Sequence, residues 1–188
     1  GTLMKIAKKY PEAVFLVPAG DEKLLKRKGI KNVYHFQWWE SYRFDDFIFS
    51  FTPVQHWSKR TLFDRNKSLW GGWYIKHKDY SLYHAGDTGY SKDFVETKER
   101  LGAPKYAFIP IGAYDPEWFM SESHVNPEDA VQIMIDLEAK KAFGMHWATF
   151  VLTDEDTIEP KIRLEEAIKR YENLDFTSVV PGSVINID

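Results

Sequence analysis

His56, Asp87 and His146 are the side chains whose types and placement suit metal chemistry in this 188-residue chain. Each falls just past the C-terminal end of a strand-like apolar run: Phe47 to Val54 before His56, Tyr80 to Ala85 before Asp87, and Ala142 to Met145 before His146. In open α/β architectures ligands collect at that edge, so three residues far apart in sequence are expected to converge there. Two neutral imidazoles and one carboxylate suit a borderline cation such as Zn²⁺, Mn²⁺ or Fe²⁺. No short local motif such as HExxH joins them, so spacing alone leaves two readings open. Either they form a ligand set, or the histidines are hydrogen-bonded rim residues beside tryptophans and Gly86-Asp87-Thr88-Gly89 is an Asx turn.

The elements that must position them alternate along the chain. Thr2 to Tyr10 predicts a short helix, and Ala13 to Val17 a buried strand closed by Pro18. Asp21 is a candidate cap for a helix that turns Leu24 and Leu25 inward and ends at Gly29. Asn32 to Phe36 is the next strand. Arg43 to Thr52 predicts paired strands turning at Asp45-Asp46, with Leu69 to Lys76 and Tyr80 to Ala85 extending the sheet. The apolar period then lengthens. Ser91 as cap, an inward face of Phe94, Val95 and Leu101, and Gly102 as terminator describe a helix, followed by the strand Tyr106 to Ile109. Asn126-Pro127 starts another helix, with Glu128 and Asp129 at its positive end and a buried stripe of Ala130, Ile133, Met134 and Leu137. The strand Ala142 to Met145, a helix from Pro160 to Tyr171 with Leu164, Ala167, Ile168 and Tyr171 inward, and a strand near Phe176 to Val180 complete the order. Connections this short argue for one α/β unit over residues 1–188.

Composition narrows the function classes. An apolar fraction of 44% with 16% aromatic residues supports a packed core and excludes disorder as the default. The 25 basic and 28 acidic residues leave a net charge of −3, which supplies no cationic field for nucleic acid. Cysteine is absent, so any metal is held by His, Asp or Glu. No apolar run reaches the ~18 residues that span a bilayer, and Met4-Lys5-Ile6-Ala7-Lys8-Lys9 lacks a following signal-peptide core.

The words around the three residues carry a resemblance. Thr52-Pro53-Val54-Gln55-His56-Trp57, Arg60-Thr61-Leu62 with Asp64 and Asn66, and Leu69-Trp70-Gly71-Gly72-Trp73 closely resemble one segment of the N-acylphosphatidylethanolamine-hydrolysing phospholipase D family, a branch of the metallo-β-lactamase fold. It continues in register through His84-Ala85-Gly86-Asp87-Thr88-Gly89-Tyr90, Ile109 to Tyr114, Trp118-Phe119-Met120, His124-Val125 with Pro127-Glu128, and His146-Trp147 with Thr149-Phe150.

The resemblance implies an αββα sandwich with two divalent metal ions, zinc first and manganese or iron next, between its halves. His56 would ligate one metal, His146 the other, and Asp87 both, while His124 is a further active-site histidine and Asp87 takes part in catalysis. The implied reaction is hydrolysis of a phosphodiester, a phospholipid headgroup bond foremost, by an activated water attacking phosphorus. Lactone hydrolysis, general phosphodiester hydrolysis, or a non-catalytic domain completed by a partner chain are the rivals. Trp57, Trp73, Trp118 and Trp147 would either line a wall for acyl chains or fill the core. The family's principal metal motif, His-x-His-x-Asp-His, does not occur in the 188 residues. It precedes the segment that Thr2 to Pro18 resembles, so the resemblance implies the C-terminal half of a longer metallo-hydrolase. Such a half holds one metal or none, is expected to lack appreciable activity alone, and exposes apolar sheet surface suited to a homodimer or another partner. A cytoplasmic protein, at a membrane surface when its substrate is a phospholipid, is the matching expectation.

Overall fold

The computed structural model describes residues 1–186. Elements run α1 (Thr2–Lys9), β1 (Phe15–Pro18), α2 (Glu22–Arg27), β2 (Val33–Phe36), β3 (Ser41–Phe44), β4 (Phe47–Thr52), β5 (Gly72–Lys76), β6 (Ser81–His84), α3 (Asp93–Leu101), β7 (Tyr106–Pro110), α4 (Glu117–Met120), α5 (Pro127–Asp136), β8 (Lys141–Met145), α6 (Glu159–Ile168) and β9 (Phe176–Ser178). β1 and β2 pair in parallel as a small sheet, and β3 to β9 form a seven-stranded sheet in sequence order. Pairing is antiparallel from β3 to β6 and parallel from β6 to β9. It follows that β4, β6, β7 and β8 all point the same way, and their C-terminal ends share one edge. The α/β expectation holds.

The register builds two unlike faces. Ser50, Tyr74, Tyr83, Ala107, Ala142 and Phe176 form a row of paired neighbours across six strands. All six are buried. Ala107 and Ala142 carry no bulk beyond Cβ, which leaves room for α5 to pack on β7. Ala130, Ile133, Met134 and Leu137 of this helix region are all buried, as their 3.6-residue period requires. Asn126 caps α5 by accepting from Asp129 N at 2.8 Å, and Pro127 occupies the first turn, where a missing N–H costs nothing. The opposite face presents Phe49, Trp73, Ile75, Leu82 and Phe108 half-buried, and Phe44 half-exposed. An apolar sheet face left this open is suited to a further layer.

Several expectations need correction. Asp21 precedes α2 but makes no side-chain cap. Its carboxylate instead takes both Arg60 amino groups, at 2.9 and 2.8 Å, because a fork of two donors outcompetes one backbone N–H. Leu24, Val95 and Tyr171 are exposed by 37%, 38% and 43%, so none belongs to an inward face. Six-residue α2 buries Leu25 alone, Phe94 and Thr97 carry the buried side of α3, and α6 ends at Ile168, before Tyr171. Pro18 lies inside β1, not after it. α4 has no counterpart in the sequence reading, since one turn is too short to show a period.

Candidate metal centre

His56, Asp87, His124 and His146 lie in connections leaving β4, β6, β7 and β8 at the shared edge. Backbone contacts draw those connections together. Gln55 and Gly89 form an antiparallel bridge, with Gly89 N donating to Gln55 O at 2.7 Å, which brings the His56 loop beside the Asp87 loop. Val125 N donates to Thr88 O at 2.9 Å and fastens the His124 segment to the same loop. Gly89 is required by space: a Cβ there would stand 2.7 Å from Ser121 O.

The side chains meet accordingly. Asp87 Oδ1 lies 3.3 Å from His146 Nε2. The His124 ring stands edge-on to His56 with centroids 5.3 Å apart, and 5.7 Å from the His146 ring. All four residues that sequence and resemblance singled out are therefore gathered in one place. Among the described residues, no three His, Asp or Glu side chains are arranged to hold an ion.

Donor chemistry fits a metal nonetheless. His56 Nδ1 is 2.7 Å from Trp57 O, and a carbonyl only accepts, so Nδ1 carries the proton. That leaves His56 Nε2 with a lone pair; it is buried and has no hydrogen-bond partner in the structure. A ring N–H given to a backbone carbonyl, with the other nitrogen free, is the usual state of a metal-ligating histidine. His124 Nδ1 is likewise buried without a partner. Burial, then the neighbouring His56, hold the His124 imidazole below its ordinary pKa, so it is neutral near pH 7. His146 adopts φ +64°, an uncommon left-handed conformation for a residue with a side chain.

The flanking tryptophans divide. Trp57 stacks on His56 at 5.8 Å and is 40% exposed, and Trp118 is 84% exposed. Trp73 packs against Phe36 and Phe51 on the open sheet face, and it pairs with Phe51 and His84 near the ends of β4 and β6. Trp147 is buried, with its indole N–H unpartnered. It lines a cavity of about 680 Å³ with Phe108, Phe143, Leu152 and His146. Sequence reasoning missed Glu155, whose carboxylate accepts from Ala113 N at 2.6 Å and Asp115 N at 3.2 Å and holds the connection after β7. No spacing signal marks it, because its partners are backbone amides.

The chain is 44% identical over 159 residues to the mitochondrial N-acyl-phosphatidylethanolamine-hydrolyzing phospholipase D of Saccharomyces cerevisiae, covering 81% of this chain and 34% of that protein. It is 36% identical over 187 residues to N-acyl-phosphatidylethanolamine-hydrolyzing phospholipase D 1 of Caenorhabditis elegans, covering 94% and 52%. The chain thus spans about a third to a half of these relatives' lengths. In fold it matches Igni18, a metallo hydrolase of Ignicoccus hospitalis, with a TM-score of 0.74 at 22% identity over 100% of this chain and 74% of that one. Residues 2–147 match the family model described as "Beta-lactamase superfamily domain", and the chain belongs to that family.

Proposed function

We propose that this chain is one half of a metal-dependent hydrolase and that the complete enzyme cleaves a phosphodiester bond of a phospholipid. The observation that carries the reading is the convergence of His56, Asp87, His124 and His146 with two buried imidazole nitrogens left unpaired. The names of the yeast and nematode relatives support the phospholipid class.

In this reading His56, His146 and Asp87 would hold two divalent cations, zinc first. When bound, such ions supply Lewis acidity and ready deprotonation of water. The chain's residues do the rest. Trp57 O fixes the His56 tautomer, so Nε2 keeps its lone pair. His124, kept neutral, offers a hydrogen bond to a phosphoryl oxygen as charge gathers there. The apolar cavity beside His146 accommodates an acyl portion of the substrate. Two histidines and one shared carboxylate are too few protein ligands for two tight sites, so the chain alone is expected to lack appreciable activity.

The open sheet face and the low ligand count favour a second reading, in which the chain acts only when another polypeptide covers that face. One experiment addresses both. The chain is mixed with a separately produced segment of the complete protein bearing His-x-His-x-Asp-His, with zinc or manganese, and assayed on a phospholipid phosphodiester and on a lactone. Chelator-sensitive release of the headgroup alcohol, with phosphatidate as the other product, is expected in the mixture alone. Turnover of the lactone and not the phosphodiester would replace the substrate class, and an assembled mixture without activity would remove the hydrolase reading.

A further inference from the structure

Two pairs of large apolar side chains stand exposed at the edge that carries the histidines, alongside Phe150, Val151 and Leu152 in the connection leaving β8. Leu62 and Phe63 are 81% and 84% exposed, and Trp118 and Phe119 are 84% and 66% exposed. The first pair lies in the connection leaving β4, the second in α4 after β7. From this juxtaposition we propose that the two pairs form a rim that seats the site's end of the fold on an anionic lipid surface. The inference rests on the phospholipid reading and extends it to the way the enzyme reaches its substrate.

The exposure is built, not frayed. The Asp64 carboxylate accepts from Arg60 N at 2.9 Å and Thr61 N at 2.7 Å, closing a turn with Leu62 and Phe63 at its tip. Asn66 N donates to Ser58 O at 2.7 Å across the base of the loop, and Arg60 is clasped to Asp21. α4 is held by Glu117, which takes Arg163 at 2.8 Å and Asn126 Nδ2 at 3.2 Å. Both tips are also tied to the histidines. Arg65 lies over the Trp57 ring at 5.7 Å, and Trp57 stacks on His56. Gln55 Nε2 donates to Glu122 O at 3.1 Å, joining the β4 connection to the segment between α4 and His124.

Charge selects the partner. Residues 59–67 carry Lys59, Arg65 and Lys67 beside the single acid Asp64, with Arg60 already paired to Asp21, in a chain whose net charge is −3. Lipid headgroups of negative charge attract such a cluster, and aromatic and aliphatic tips settle at the boundary between headgroups and acyl chains. A protein partner would call for a continuous, shape-matched apolar core, which the open sheet face offers and these protruding tips do not.

The test is sedimentation of the purified chain with phosphatidylcholine vesicles, with and without phosphatidylserine. Binding is expected to rise by about tenfold with phosphatidylserine and to fall as salt is added. L62D/F63D should cut binding to both vesicle types by about tenfold, and W118D/F119D should do so independently. K59E/K67E should abolish the phosphatidylserine preference and leave the residual binding. These side chains are exposed, and circular dichroism verifies that each variant is folded. Wild type that ignores both vesicles, or variants that bind as wild type does, would overturn the proposal. So would dimers in lipid-free solution that L62D/F63D dissolves, which would make the rim a contact between copies. Binding needs no turnover: a chain that docks in a protein with no hydrolase activity removes only the functional reading. An active enzyme whose rim ignores lipid removes only the docking.

Discussion

Asp87 Oδ1 reaches His146 Nε2 at 3.3 Å, although their loops leave strands β6 and β8 with β7 lying between. The carboxylate is thus shared out toward the second loop instead of closing a turn on its own. A residue in that position is the natural junction of the group. In the complete protein, Asp87→Asn should lower metal-dependent turnover by more than about 100-fold, since losing even an outer-shell partner commonly costs 10 to 100-fold. Metal content by atomic emission should fall with it. Full metal content with unchanged turnover would refute the assignment of Asp87.

His56 offers a direct spectroscopic check. Its Nδ1 donates to Trp57 O, so long-range nitrogen–proton correlation should show the Nδ1–H tautomer in the metal-free chain. Adding zinc should move the Nε2 resonance first. An Nε2–H tautomer would show that the free nitrogen faces the wrong way for a ligand.

Gly89 sits where two backbones nearly touch, with Ser121 O at 2.7 Å from the place a Cβ would take. Gly89→Ala should destabilise the fold by about 1–3 kcal/mol through forced separation of the loops. For a chain of this size that is a fall of roughly 2–4 °C in melting temperature per kcal/mol. A melting temperature equal to wild type would mean that the bridge to Gln55 tolerates the methyl.

Glu155 makes stability depend on acid. Burial pushes its carboxyl up, but the hydrogen bonds from Thr153, Ala113 and Asp115 outweigh this and leave it below its ordinary value of 4.5. The folded state therefore favours the ionised form. Its contribution is complete above the unfolded pKa and is lost as pH falls through the lower folded one. Glu155→Gln should cost roughly 1 kcal/mol near neutrality, reduced by solvent at this partly exposed site. The gap between variant and wild type in urea titrations should narrow toward acid pH. A gap independent of pH would assign the loss to packing.

Legibility varied with how local the cause was. The hairpin turn at Asp45-Asp46 and the capped start of α5 were readable because residues within four positions determine them. Leu24 and Val95 carried the right type on the wrong face, since a short helix specifies its orientation weakly. Asp21 looked like a cap and became the partner of Arg60, a residue far along the chain. Glu155 was invisible for the same reason: no periodicity announces a carboxylate that serves another loop's amides.

Residue type and position alone determined the order of the strands and of the helices other than α4, the buried stripe of Ala130, Ile133, Met134 and Leu137, and the placement of His56, Asp87 and His146 after strands. Those follow from backbone periodicity and local hydrogen bonding. Only the tertiary structure decided that these residues meet, because strand direction and the Gln55–Gly89 bridge depend on pairing across long stretches of chain. It also decided which imidazole nitrogens stay unpaired, as burial belongs to the packed whole and not to any segment.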